Sequence, residues 1–221
     1  MYITPEDLVK SLNLFIQHKQ LHGAFKQQVI DVIERDRSYY TYEVLAELAI
    51  IYATEMDDTY KEQFFSKFMS KFSKEIQYLQ EDTLYKILWS FIKAGRLIVK
   101  EDVYEWVIVK KAILERIPQM SPKVITDILV LSTMAKEVDT LSSQTGDLDF
   151  WEAVEPSLIF KLKEMDLDSL LNLMWSALEI ERGSAIFNQQ IESEITKRIL
   201  KIQDDEFQTL LACFINDKGD K

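Results

Sequence analysis

The sequence predicts an all-α protein, an α-solenoid of about five helical hairpins closed by a C-terminal capping helix. Three observations carry that expectation. Residues 84–96, Leu-Tyr-Lys-Ile-Leu-Trp-Ser-Phe-Ile-Lys-Ala-Gly-Arg, place Leu84, Ile87, Leu88 and Phe91 at i, i+3, i+4 and i+7, the stripe of a core-facing helix. A second copy stands at Leu170-Leu-Asn-Leu-Met-Trp-Ser-Ala-Leu178, with Trp-Ser in the same register and Gly183 after it. Only 5 Gly and 4 Pro occur in 221 residues, too few for the turns of an all-β chain.

Following the same pattern along the chain gives six anchors: Leu8, Val44, Leu84, Ile125, Leu170 and Phe207. They are spaced by 36, 40, 41, 45 and 37 residues, the range of paired-helix repeats. Four residues past each anchor stand Leu12, Leu48, Leu88, Leu129, Met174 and Leu211, all apolar. A cap residue precedes each: Thr4, Thr41, Asp82, Ser121, Asp166 or Asp168, and Asp204. Thr4-Pro5 and Ser121-Pro122 pair an N-cap with a proline at the first helical position.

A second helix is expected between anchors. Its stripes are Phe25, Val29, Val32 and Ile33 in the first unit and Phe64, Phe65, Phe68, Phe72 and Ile76 in the second. Val103, Trp106, Val107 and Ile113 serve the third, and Phe187, Ile191, Ile195 and Ile199 the fifth. Gly23, Gly95 and Gly183 fall between the helices of their units, where a left-handed residue ends a helix. The fourth unit departs. Residues 137–149 are polar and without period, an expected exposed loop, and Pro156 should either start or kink the helix that follows. Residues 204–215 should form the cap. The whole chain, 1–221, reads as a single helical-repeat domain.

Charge narrows the partners. The net charge of −11 is uneven: −2 over residues 1–118 and −9 over residues 119–221. Nucleic-acid binding needs clustered cations, so this balance disfavours it. The one net-positive region is 61–116, with 11 basic and 8 acidic residues. There Lys67, Lys71 and Lys74 share a helix face turned away from the phenylalanines, followed by Lys93, Arg96, Lys100, Lys110 and Lys111. This is a strip that could take an anionic ligand, although the plain reading is the solvated face of amphipathic helices.

Catalytic patterns are missing. His18 and His22 are spaced i, i+4 as two metal ligands would be, but the Glu of a His-Glu-x-x-His site is absent and these are the chain's only histidines. No phosphate-cradling glycine loop and no Gly-x-Ser-x-Gly elbow occurs. Cys213, the single cysteine, lies in the apolar run Leu210-Leu-Ala-Cys-Phe-Ile215, where a core thiol is expected. Asp57-Asp58, Asp147, Asp149 and Asp204-Asp205-Glu206 suit helix starts and loops. The expectation is a non-enzyme with no cofactor and no metal. One cysteine fits an intracellular setting, no apolar run is long enough to span a bilayer, and the opening residues lack a signal-peptide pattern.

Ile87-Leu-Trp-Ser-Phe-Ile-Lys-Ala-Gly95 and Asn172-Leu-Met-Trp-Ser-Ala-Leu178 resemble the Leu-Trp-Ala/Ser-x-Ala-Lys-Leu-Gly first helices of organellar helical-repeat proteins, the FAST-kinase-like, RAP-domain and octotricopeptide-type arrays. The resemblance covers two units well and the others by hydrophobic register. It implies an α-solenoid and a mitochondrial or plastid location. Proteins of this kind usually bind RNA through a basic concave face, often with a C-terminal RAP domain. This chain is acidic and its sequence ends without such a module. The expected function is therefore a non-catalytic protein–protein interaction scaffold, an accessory subunit of a mitochondrial multiprotein complex. An RNA-binding helical-repeat protein of organellar RNA metabolism is the alternative.

Overall fold

The computed structural model describes residues 4–19, 22–35, 39–95, 103–134, 150–179 and 183–199. Among them are ten α-helices and no strand. In chain order these are α1 (Pro5–Gln17), α2 (Gly23–Arg35), α3 (Tyr42–Glu55), α4 (Asp58–Glu75), α5 (Glu81–Lys93), α6 (Val103–Arg116), α7 (Pro122–Met134), α8 (Phe150–Lys161), α9 (Leu167–Glu179) and α10 (Ala185–Ile199). The expected loop at 137–149 and the expected cap at 204–215 lie outside the described residues.

Neighbours follow a simple rule. The anchor-bearing helices pack in series, α1 on α3, α3 on α5, α5 on α7 and α7 on α9. The intervening helices do the same, α2 on α4, α4 on α6, α6 on α8 and α8 on α10. One continuous apolar core, from Leu8 to Ile191, runs through all five pairs. Its aromatic centre lies between α4 and α5. Phe65, Phe68 and Phe72 surround Phe91, with ring centroids 4.9, 6.2 and 5.6 Å from it. Tyr52 of α3 stacks on Phe64 of α4 at 4.3 Å.

Side-chain caps hold several of the helix starts. Thr4 accepts from the Asp7 amide at 3.1 Å, and Thr41 from Val44 at 3.4 Å. Asp166, and not Asp168, caps α9 by accepting from the Ser169 amide at 2.7 Å. Asp82 is not a cap. The N-cap of α5 is Gln80, and Glu81 and Asp82 occupy the first turn, where their charge still favours the helix dipole. Glu81 is also committed elsewhere: its carboxylate accepts from the Ser121 hydroxyl at 2.7 Å and from the Ser121 amide at 3.1 Å, holding the entry of α7.

Gly95 and Gly183 have φ of 70° and 90°, the left-handed breaks expected after their first helices. Gly23 differs. It is the first residue of α2, and among the described residues of that connection Lys19 is left-handed, φ 54°. A Cβ at Gly23 would lie 2.8 Å from the Tyr60 hydroxyl, so the glycine serves close packing of α2 on α4. Pro156 neither starts nor ends its helix. It sits inside α8 on the exposed side, and α8 begins at Phe150.

Three of the described turns are 3-10 turns, Ile76–Tyr78, Ile117–Gln119 and Leu162–Glu164, and the first takes Ile76, expected as the last residue of the second unit's helical stripe, out of α4. Each begins with a buried aliphatic residue and is followed by another, Leu79, Met120 or Met165. A basic side chain from the end of the next intervening helix caps the turn. Arg116 donates to the carbonyls of Ile76 and Leu79 at 2.9 and 2.7 Å. Lys161 donates to that of Met120 at 2.9 Å, and Arg198 to those of Leu162 and Lys163 at 3.3 and 3.0 Å.

Candidate interaction surfaces

Of the lysine strip, the side chains of Lys67, Lys74, Lys93, Lys110 and Lys111 are described. Lys67 is turned outward from α4, but its ammonium bonds the Glu34 carboxylate of α2 at 2.5 Å. Lys74, Lys93 and Lys111 are exposed. Lys110 is buried, which corrects its placement on an outer strip. It lies on α6 between Val109 and Ile113, both fully buried, because α6 is packed by α4 on one side and α8 on the other. The Lys71 side chain, Arg96 and Lys100 lie outside the described residues. The basic residues sequence analysis missed, Arg116, Lys161 and Arg198, are spent on turn carbonyls. A signal was present: each stands nine residues before an anchor.

His18 and His22 do not share a helix face. His18 is the C-cap of α1, whereas His22 precedes α2 and its carbonyl accepts from the Phe25 amide at 3.0 Å. The left-handed residue Lys19 separates them, so the i, i+4 geometry is lost. Among the described residues no group of three or more His, Cys, Asp or Glu is placed to hold a metal. No described helix is long and apolar enough to cross a membrane.

One carboxylate stands apart electrostatically. Asp127 on α7 is half-buried, and desolvation, reinforced by Asp166, lifts its pKa against the opposing pull of Lys123. Tyr85 of α5 is raised as well, by burial first and by Asp127 second. Asp166 moves the other way, lowered chiefly by its hydrogen bonds to Ser169. These groups belong to the α5–α7–α9 contact and line neither the cavity between α2, α3 and α4 nor the cleft between α8 and α10.

Two such cavities open at the surface. One, about 250 Å³, lies between α2, α3 and α4; Ile30, Ile33, Leu45, Phe64 and Phe68 form its walls and the Glu34–Lys67 pair stands beside it. The other, about 370 Å³, is a cleft between α8 and α10. Ile159 and Leu162 give it an apolar side; Lys163, Gln190, Ser193, Glu194 and Lys197 give it a polar one. Phe160 also lines it with 82% of its surface exposed, the largest value among the described exposed apolar residues. Nothing in the sequence singled out Phe160, because helix periodicity marks only the stripe that faces the core.

The two Trp-Ser copies part company. Trp89 is half-buried against the core, whereas Trp175 is 54% exposed. Ser90 back-bonds to the Lys86 carbonyl at 2.7 Å, while the buried Ser176 hydroxyl has no partner among the described residues.

Comparison with protein-family models, with curated proteins and with solved structures finds no match to this chain.

Proposed function

We propose that this chain is an α-solenoid serving as a non-catalytic protein–protein interaction scaffold, an accessory subunit of a mitochondrial multiprotein complex. The serial packing of both helix sets supports the stacked-hairpin architecture, in which each hairpin buries its apolar face against its neighbours. The organellar assignment rests on the resemblance of residues 87–95 and 172–178 to organellar helical repeats. The observation that carries the binding role is the α8–α10 cleft. A phenylalanine 82% exposed beside an open, half-apolar groove is surface suited to a protein partner. The acidic C-terminal half adds steering toward a basic partner.

The test is co-purification of the full chain from its native source, alongside its Phe160→Asp variant. A stable protein neighbour retained by the native chain and lost by the variant supports the scaffold role. An RNA titration at about 0.15 M salt addresses the alternative. The Glu34 partner of Lys67 and the burial of Lys110 leave that reading a broken cationic strip. Salt-sensitive RNA binding abolished by Lys67→Glu and Lys111→Glu would replace the scaffold reading with RNA recognition.

A further inference from the structure

The turns ahead of Leu84, Ile125 and Leu170 follow one register. Eight and five residues before these anchors stand Ile76 and Leu79, Ile117 and Met120, and Leu162 and Met165, all buried. Where α6, α7 and α8 meet, Ile117 and Met120 share the junction with Ile113, Leu129 and Phe150, and no room for a water molecule is left. The cation that caps each turn comes from the end of the next intervening helix, nine residues before the following anchor: Arg116, Lys161 and Arg198.

The first junction, of α2, α3 and α4, departs from this register at each position. Eight and five residues before Val44 the sequence has Asp36 and Tyr39. Asp36 lies outside the described residues; Tyr39 is 75% exposed and so plugs nothing. Nine residues before Leu84, where the capping cation would stand, is Glu75, whose carboxylate can only accept. At this junction the space is open. It is the cavity of about 250 Å³ walled by Ile30, Ile33, Leu45, Phe64 and Phe68, all five of them buried.

The lining selects a class of ligand. Aliphatic and aromatic walls offer a buried water no hydrogen bond, and an apolar cavity of about 150 Å³ lined by Leu, Ile and Phe stays dry and takes benzene. The larger volume here has room for a fused bicyclic ring. Glu34 and Lys67 line the same cavity, and their carboxylate and ammonium form an ion pair. A charged ligand would have to break that pair or lie among apolar walls without a counter-ion, and both are costly. An uncharged ligand does neither.

We propose that the cavity between α2, α3 and α4 binds a small uncharged aromatic molecule about the size of indole. Such a ligand fills the space that Ile117 and Met120 fill at the α6–α7–α8 junction. The site belongs to the first two hairpins and is separate from the α8–α10 cleft assigned to a protein partner.

The probe is indole, with benzoate as a charged counterpart of the same number of non-hydrogen atoms, added to the full chain carrying isotope-labelled Ile and Leu methyl groups. Indole should shift the methyl resonances of Ile30, Ile33 and Leu45 saturably. It should also raise the melting temperature by roughly 3–5 °C at about ten times its dissociation constant. Benzoate should bind at least roughly tenfold more weakly. Ile33→Phe and Leu45→Trp, each of which puts ring volume into the cavity, should weaken indole binding by at least roughly tenfold. Phe160→Asp, at the other end of the stack, should bind indole as the native chain does. A native chain without saturable shifts at these three residues would overturn the proposal, whatever the folding of the variants. So would unchanged affinity in a folded cavity-filling variant, or benzoate binding as tight as that of indole. Loss of indole binding in Phe160→Asp would place the probe in the cleft and overturn it too.

Discussion

Arg116 and Leu79 are 37 residues apart in sequence and joined by a 2.7 Å hydrogen bond from guanidinium to carbonyl. With the second bond to the Ile76 carbonyl, this fixes the end of α6 against the turn that leads into α5. The Ile76 carbonyl also accepts from the Leu79 amide at 3.3 Å, and because a carbonyl oxygen has two lone pairs, a planar, multi-donor cation can bond both turn carbonyls at once.

Arg116→Met should therefore destabilise the protein by about 1.5–3 kcal/mol, the range for a charge-assisted hydrogen bond lost at a partly buried site. Lys161→Met, which removes a single bond to Met120, should cost less. Denaturant unfolding of the two variants checks the order, and an Arg116→Met chain as stable as the native one would remove the turns from the account of the fold.

Trp151 is fully buried and donates from its indole nitrogen to the Ser132 hydroxyl at 3.2 Å. Trp151→Ala should cost about 3–5 kcal/mol through the cavity left in the α7–α8 contact. Trp151→Phe should cost less, losing the hydrogen bond and part of the volume. Thermal melts of both variants read the difference.

Two aspartates should give opposite pH signatures. Asp127 has a folded pKa above its ordinary value of 3.8, so its ionisation opposes folding, and the penalty develops as pH rises through the folded pKa. Asp127→Asn should raise the melting temperature near pH 7 and lose that advantage in acid, below the ordinary value. Asp166 has a folded pKa below 3.8, so its carboxylate stabilises the fold above that pH, and the contribution fades as pH falls through the folded value. Asp166→Asn should lower stability near neutrality and converge on the native chain in strong acid. Melting curves across pH 2–8 for both variants decide the signs, and parallel curves would contradict the assignment.

Phe160→Asp should leave stability within about 0.5 kcal/mol of native, since an exposed side chain contributes little to the fold. Its effect should fall on partner binding alone. A large loss of stability would show that Phe160 is structural and that the cleft is closed in solution.

Helical character was legible in the residues themselves. A stripe such as Leu84, Ile87, Leu88 and Phe91 determines both the helix and the face it buries, because spacing near 3.6 has one low-energy solution. Thr4 and Thr41 could be read as caps for the same local reason, since the amides they satisfy lie three residues away. The chain by itself thus determined where helices form and which faces are apolar. Contacts between units decided the rest. Asp82 had the right chemistry for a cap, but the helix starts earlier, where Glu81 also secures Ser121, forty residues on. Gly23 was read as a break and instead clears space for Tyr60, a neighbour visible only after α2 packs on α4. Lys110 carries an ordinary surface charge in an ordinary helical pattern, and is buried because α6 has neighbours on both sides. Trp89 and Trp175 share a local sequence and differ in exposure, since a side chain's surroundings depend on the layer stacked over it. Periodicity is a property of one helix, whereas burial at its flanks belongs to the pair.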